Sequence, residues 1–135
     1  MIRVKRIEHI GVAVNSCSEA AAFYRLMGIE TSSTEELPES ALTVAMLPIG
    51  ESQIELLEPT GPQATVAKFL EKRGEGIHHL ALCVEDIEEA LRELTQAGIR
   101  MIDKTPRPGA NGKMVAFVHP ESTHGVLLEL VQDAL

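Results

Sequence analysis

Bulky aliphatic residues alternate with a histidine and small residues along two stretches of this chain, 7–14 and 77–84, where β-branched and aliphatic side chains dominate as they do in strands. A helical rhythm follows each stretch. After the second, Asp86 is placed to cap a helix and Glu89 to complete a capping box; Ile87, Ala90, Leu91 and Leu94 then fall at helical spacing. Gly98 supplies the stop. The earlier helix, about 17–27, carries Ala20, Ala21, Tyr24 and Met27 before the matching Gly28. Shorter strands are predicted at 42–49 and 52–58, and at 114–118 and 126–132, with weaker strand patterns at 30–33 and 100–103. Pro62 is expected to open a linker helix over about 62–73, with Val66, Phe69 and Leu70 inward and Gly74 closing it. The run Glu35-Glu36-Leu37-Pro38-Glu39 reads as a solvated connection.

The two halves are one unit written twice. His9-Ile10-Gly11-Val12-Ala13-Val14 aligns with His79-Leu80-Ala81-Leu82-Cys83-Val84 at an offset of 70 residues (79 − 9), and Met27-Gly28-Ile29 aligns with Ala97-Gly98-Ile99 at the same offset. Ser52-Gln53-Ile54-Glu55-Leu56-Leu57 matches Val126-Leu127-Leu128-Glu129-Leu130-Val131 at 74 (129 − 55), the four extra residues being one loop's difference. The expected fold is therefore α+β, two tandem βαβββ modules at about 5–60 and 75–133 joined by the linker helix into a single domain spanning 1–135.

Composition narrows the class without deciding the function. With 44% hydrophobic and 24% charged residues over 135 positions, the chain has an ordinary globular balance and enough length for a real core. A net charge of −8, three Phe, one Tyr and no Trp argue against nucleic acid, which would be repelled and would find little to stack on. No apolar run reaches membrane-spanning length, and Met1-Ile2-Arg3-Val4-Lys5-Arg6-Ile7 lacks a signal-peptide core, so a cytoplasmic location is expected. Cys17 and Cys83 lie far apart and read as small core residues in a reducing compartment.

The candidate chemistry comes from alternation. In the first strand His9, Gly11 and Ala13 share one face, and Ile10, Val12 and Val14 the other; in its repeat His79, Ala81 and Cys83 oppose Leu80, Leu82 and Val84. One face is bulky and suits packing beneath a helix. The other begins with an imidazole and continues with small residues, which leaves space. Glu55 and Glu129 each sit between aliphatic neighbours, and an acid facing an interior is costly unless paired or bound to metal. A lone strand histidine is more often a hydrogen-bonded core residue, and a lone strand glutamate is usually solvated. Recurrence of both at equivalent repeat positions favours a shared metal cleft built from His9, Glu55, His79 and Glu129. Such a nitrogen and oxygen set suits Co²⁺, Mn²⁺, Ni²⁺, Fe²⁺ or Zn²⁺.

These residues carry a family resemblance. The segments are Glu8-His9-Ile10-Gly11-Val12-Ala13-Val14, Glu55-Leu56-Leu57-Glu58-Pro59, Thr65-Val66-Ala67-Lys68-Phe69-Leu70, Gly76-Ile77-His78-His79-Leu80-Ala81, Val118-His119-Pro120 and Gly125-Val126-Leu127-Leu128-Glu129-Leu130. With the duplicated βαβββ pattern, they resemble the vicinal oxygen chelate (glyoxalase) superfamily, and within it most closely the methylmalonyl-CoA epimerase family. The resemblance implies one divalent metal, cobalt foremost, held by His9, Glu55, His79 and Glu129, an acyl-CoA substrate and a homodimer. It also implies an acid/base role for Glu129. Some family members carry a second glutamate where this chain has Val44, so either another group serves here, with Glu51 and His119 as weaker candidates, or Glu129 and a metal-bound water share the task. Lys113, closing the glycine-rich Pro106–Lys113 loop, is a candidate counter-charge for substrate, with Arg107 beside it. His78 is expected behind the site or toward the core, and His124 in a turn. Two alternatives remain: a glyoxalase I-type lyase acting on a glutathione hemithioacetal, and a non-catalytic small-molecule-binding protein of the same fold.

Overall fold

The computed structural model describes residues 1–134. The chain divides into two compact units, an N-terminal unit of residues 9–78 and a C-terminal unit in which residues 1–8 join the chain from His79 onward.

In the N-terminal unit, strand β1 (Val4–Ala13) leads into helix α1 (Cys17–Leu26), then β2 (Ser33–Leu37), β3 (Leu42–Ile49) and β4 (Ser52–Pro59), and helix α2 (Thr65–Arg73) follows. The strands run β2-β3-β4-β1, with β1 parallel to β4 and the other pairs antiparallel. Ser16 caps α1 by accepting from the Glu19 amide at 3.2 Å, and the helix ends before Gly28, whose φ of 80° an L side chain would resist. Val14, Cys17, Ala21, Ala45, Leu47 and Leu56 form this unit's core, with Val12, Tyr24 and Ile54 packed against it. The bulky face of β1 thus lies beneath α1, as alternation predicts.

The C-terminal unit repeats the design with β5 (Gly76–Val84), α3 (Ile87–Gln96), β6 (Arg107–Pro108), β7 (Met114–Val118) and β8 (Leu128–Gln132), in the order β5-β8-β7-β6. Asp86 caps α3 by accepting from the Glu89 amide at 3.1 Å, and Gly98 follows the helix with φ 84°. Glu89 completes no capping box in the expected sense, for its carboxylate accepts from the Met1 ammonium at 2.9 Å. Its core gathers Val84, Ile87, Ala90, Leu91, Ala116, Val118 and Leu130. The N-terminal segment is tied in by the Glu85 amide donating to the Arg3 carbonyl at 3.0 Å.

Besides β1, which begins at Val4 rather than Ile7, four boundaries differ from expectation, three of them for a local reason. The linker helix begins at Thr65, because Gly61–Ala64 closes as a turn with Pro62 in its second position and the Ala64 amide donating to Gly61 O at 3.2 Å. The strand expected at 30–33 lies at Ser33–Leu37, so Glu35 and Glu36 belong to an edge strand, where charge is tolerated, and the connection starts only at Pro38. At 100–103 there is a single bridge, Met101 to Val118, since the Asp103 carboxylate accepts the Phe117 amide at 2.8 Å and ends the ladder. The last strand starts at Leu128 rather than 126.

Among the described residues no helix is long and apolar enough to cross a membrane. Both cysteines are free and buried, and burial beside the Glu58 charge pushes the Cys17 thiol up to about 11.

Candidate metal centre

In the N-terminal unit the parallel register of β1 and β4 sets Gly11 against Glu55, and β3 sets Met46 against Glu55 on the other side. Cross-strand partners share a face, so Glu55 rises from the same surface as His9, Gly11 and Ala13. Glycine at position 11 sets no side chain beside Glu55, and the imidazole reaches the carboxylate: His9 Nδ1 lies 3.1 Å from Glu55 Oε2. Both are nearly sealed from water, at 4% and 6% exposure. Gln53, two residues earlier on the same strand face, donates from Nε2 to the same Oε2 at 3.2 Å.

The C-terminal unit repeats this arrangement with different neighbours. Register places Ala81 and Phe117 on either side of Glu129. His79 Nε2 lies 2.9 Å from Glu129 Oε1, and each residue is 6% exposed. The Phe117 ring meets the His79 ring edge-on with centroids 5.4 Å apart. Each unit therefore offers one imidazole nitrogen and one carboxylate oxygen, both buried, in hydrogen-bond contact. Buried carboxylates need a positive partner, and borderline imidazole with hard oxygen is a donor set that fits a first-row divalent ion.

The C-terminal unit also holds an ion cluster that alternation could not foresee. Lys113 Nζ donates to Glu8 Oε2 at 2.6 Å and meets Asp133 Oδ1 at 3.3 Å. Arg6 grips Asp133 with two guanidinium nitrogens, at 2.9 and 3.3 Å. Burial alone would lower the Lys113 ammonium, but the Glu8 and Asp133 carboxylates outweigh it and hold its pKa above the ordinary value. The Arg6 guanidinium, with Lys113, holds the Asp133 carboxyl well below the usual carboxylate range.

The remaining candidates are dispersed. His78 is half-buried and packs edge-on against Phe69 of the linker helix, centroids 5.0 Å apart. His119 caps a short turn, its Nδ1 accepting from the Glu121 amide at 3.0 Å. His124 sits exposed in a left-handed turn with φ 60°, and Glu51 is exposed in the β3–β4 turn. Arg107 donates to Asp103 at 3.0 Å and stacks over Phe117. Val44 is buried in β3, opposite Leu57. Gln53 and Phe117 were missed in the sequence; for Gln53 the signal was present, since a polar residue two places from a buried acid shares its face.

A family model described as glyoxalase/bleomycin resistance protein/dioxygenase superfamily matches residues 8–117. The chain belongs to that superfamily. Among its superfamily relatives, the ethylmalonyl-CoA/methylmalonyl-CoA epimerase of Cereibacter sphaeroides is 39% identical over 96% of this chain and 98% of its own length. The mitochondrial methylmalonyl-CoA epimerase of Homo sapiens is 37% identical over 94% of this chain and 73% of its own. A solved superfamily structure, a methylmalonyl-CoA epimerase in complex with methylmalonyl-CoA and NH4+, matches with a TM-score of 0.94 at 38% identity, covering 98% of this chain and 96% of that one. The fold is thus the glyoxalase-superfamily α+β fold that the duplicated pattern predicts.

Proposed function

We propose that this chain is an epimerase that interconverts the 2R and 2S forms of methylmalonyl-CoA, and that His9, Glu55, His79 and Glu129 together hold one divalent ion for the reaction. The observation that carries the reading is the buried imidazole–carboxylate pair, present once in each unit at matching repeat positions. Relatives named as epimerases, and a neighbour bound to methylmalonyl-CoA, supply the substrate class.

When bound, the ion, with cobalt favoured over Mn²⁺, Ni²⁺, Zn²⁺ or Fe²⁺, supplies positive charge to the substrate oxygens that flank the reacting carbon. The rest falls to the chain's own residues. The C2–H bond lies between a thioester and a carboxylate; as the proton leaves, its electron pair passes into the thioester carbonyl. Glu129 is the carboxylate that takes this proton. Return of a proton to the opposite side of the planar enolate inverts C2. Gly11 and Ala81 are the cross-strand partners of Glu55 and Glu129, so no bulky side chain crowds either carboxylate from that strand. Lys113 lends counter-charge to the acyl-CoA, shared with the Glu8 and Asp133 carboxylates that already hold it. The two modules act as one domain, and the working form is a cytoplasmic homodimer.

The test is proton exchange at C2 of methylmalonyl-CoA in deuterated water. Metal-loaded protein should exchange that proton and interconvert the epimers, and both activities should vanish on chelation and in His79→Ala, with the circular dichroism spectrum kept. Full activity after chelation sinks the metal reading. Turnover of the methylglyoxal–glutathione adduct with no exchange at C2 replaces the epimerase reading with a lyase.

A further inference from the structure

An anionic acyl group needs a cation to receive it, and the chain as a whole carries a net charge of −8. In the C-terminal unit, strand register decides which cations qualify. Along the face that carries His79 and Glu129, one row runs Ala81–Glu129–Phe117 across β5, β8 and β7, and the next runs Cys83–Val131–Val115–Arg107, ending on β6. Alternation along β7 puts Lys113 on the same face. Lys113 already meets two carboxylates, Glu8 at 2.6 Å and Asp133 at 3.3 Å. Arg107 meets one, through Nε alone.

Arg107 is held in place from two sides. Its Nε donates to Asp103 Oδ1 at 3.0 Å, and Asp103 Oδ2 accepts the Phe117 amide at 2.8 Å, so the anchor is itself fixed to β7. From β6 the side chain leans back one row and sets the guanidinium carbon 5.5 Å from the centre of the Phe117 ring. A guanidinium stacked on a ring and tied at Nε has little freedom left to lose when it binds a partner. Its outer edge stays open. Among the described residues the two terminal nitrogens donate no hydrogen bond, and the side chain is 44% exposed. Two parallel N–H groups in one plane match the two oxygens of a carboxylate.

The contacts of Phe117 show what lies on the other side of that ring. Its edge meets the His79 ring with centroids 5.4 Å apart, and His79 Nε2 lies 2.9 Å from Glu129 Oε1. A single ring therefore separates the Arg107 guanidinium from the imidazole that contacts Glu129. Exposure rises in the same direction, from nearly sealed Glu129 through half-buried Phe117 to exposed Arg107. In methylmalonyl-CoA the free carboxylate is bonded directly to C2, whereas the phosphates lie at the far end of the pantetheine arm. A fork this near the His79–Glu129 pair suits the carboxylate.

The other module makes the position informative. There the corresponding row runs Ala13–Leu57–Val44–Glu35. An acid stands where this unit has a guanidinium, so modules that agree in their His–Glu pairs differ in sign here. One free carboxylate on the substrate calls for one such cation, not two.

We propose that Arg107 determines specificity for the acyl group, its two terminal nitrogens pairing with the free carboxylate of methylmalonyl-CoA, with Asp103 and Phe117 positioning the guanidinium. Each carboxylate oxygen has two acceptor positions, so contact with a bound ion leaves the fork its partners. This inference rests on the epimerase reading, and the experiment separates the two.

Metal-loaded wild type, Arg107→Gln and Arg107→Lys are assayed with methylmalonyl-CoA and with methylmalonyl-pantetheine, which keeps the carboxylate and lacks every phosphate. Propionyl-CoA, which keeps the phosphates and lacks the carboxylate, serves as competitive inhibitor; circular dichroism and metal content are measured alongside. Arg107→Gln should keep its fold and metal and raise KM for both substrates by about 10–100-fold, with a smaller change in kcat. Its inhibition constant for propionyl-CoA should stay within about twofold of wild type. Arg107→Lys, which keeps the charge without the fork, should fall between. Equal weakening of methylmalonyl-CoA and propionyl-CoA makes a phosphate the partner and overturns the proposal, as does a wild-type KM in either variant. Wild-type protein that does not interconvert the epimers overturns the epimerase reading, and this one with it.

Discussion

The His9–Glu55 and His79–Glu129 pairs hold the same place in a duplicated unit, yet their surroundings differ. Glu55 Oε2 receives a second hydrogen bond, from Gln53, and that polar bracing fixes the carboxylate. Glu129 has Phe117 as its cross-strand neighbour. The Phe117 ring donates no hydrogen bond, so the cross-strand surroundings of the two carboxylates differ in kind. Symmetry of the repeat accounts for where the two pairs stand; their neighbours do not share that symmetry.

Replacing the two acids by their amides gives the sharpest break of that comparison. Glu129→Gln should lower kcat by roughly 10³-fold, whereas Glu55→Gln, which keeps an oxygen donor at a position with no proton to move, should stay within about tenfold of wild type. Equal losses in steady-state kinetics would mean that both carboxylates serve only as ligands. A smaller effect tests the bracing. Gln53→Ala should weaken metal affinity by about tenfold with little change in kcat at saturating metal, as loss of an outer hydrogen bond to a ligand does; competition with a chromogenic chelator measures it.

The smallest effect concerns the ion cluster of the C-terminal unit. The Asp133 carboxyl titrates below its unfolded value, so its contribution to stability is present above about pH 4 and is lost as pH falls through the folded value. Lys113 has the opposite sign: raised above 10.5, it contributes fully below that pH and fades as pH climbs through its folded value. Since Asp133 is 38% exposed, Asp133→Asn should cost only about 1 kcal/mol or less at neutral pH. Urea unfolding at pH 7 and pH 3 should show the wild-type and variant midpoints converging in acid. Midpoints that stay equally far apart at both pH values would mean the cluster does not set the acid limit.

Much of the fold was legible because strands and helices announce themselves by period. Val12 and Val14 pack beneath α1, and Gly28 and Gly98 follow their helices in the left-handed conformation, as the repeat indicated. Edge segments were legible least. Glu35 and Glu36 read as solvated chain because an edge strand carries charge without penalty, and the strand expected at 100–103 gave way to a side-chain bond from Asp103 that no periodicity registers. The membership of residues 1–8 in the C-terminal unit has no sequence signal either, since it depends on ion pairs from Arg6 to Asp133 and Lys113 to Glu8 across more than a hundred residues.

By itself, then, the sequence determined the duplicated unit and the four ligand candidates, because alternation puts His9 with Gly11 and His79 with Ala81 on one face whatever the chain does later. Only tertiary structure decided which groups brace those candidates and which stand along the same row. Gln53 on Glu55, Phe117 beside Glu129, Lys113 on Glu8 and Glu35 opposite Val44 all follow from strand register and long-range contact. Register is a property of pairs of strands, and no single strand's pattern contains it.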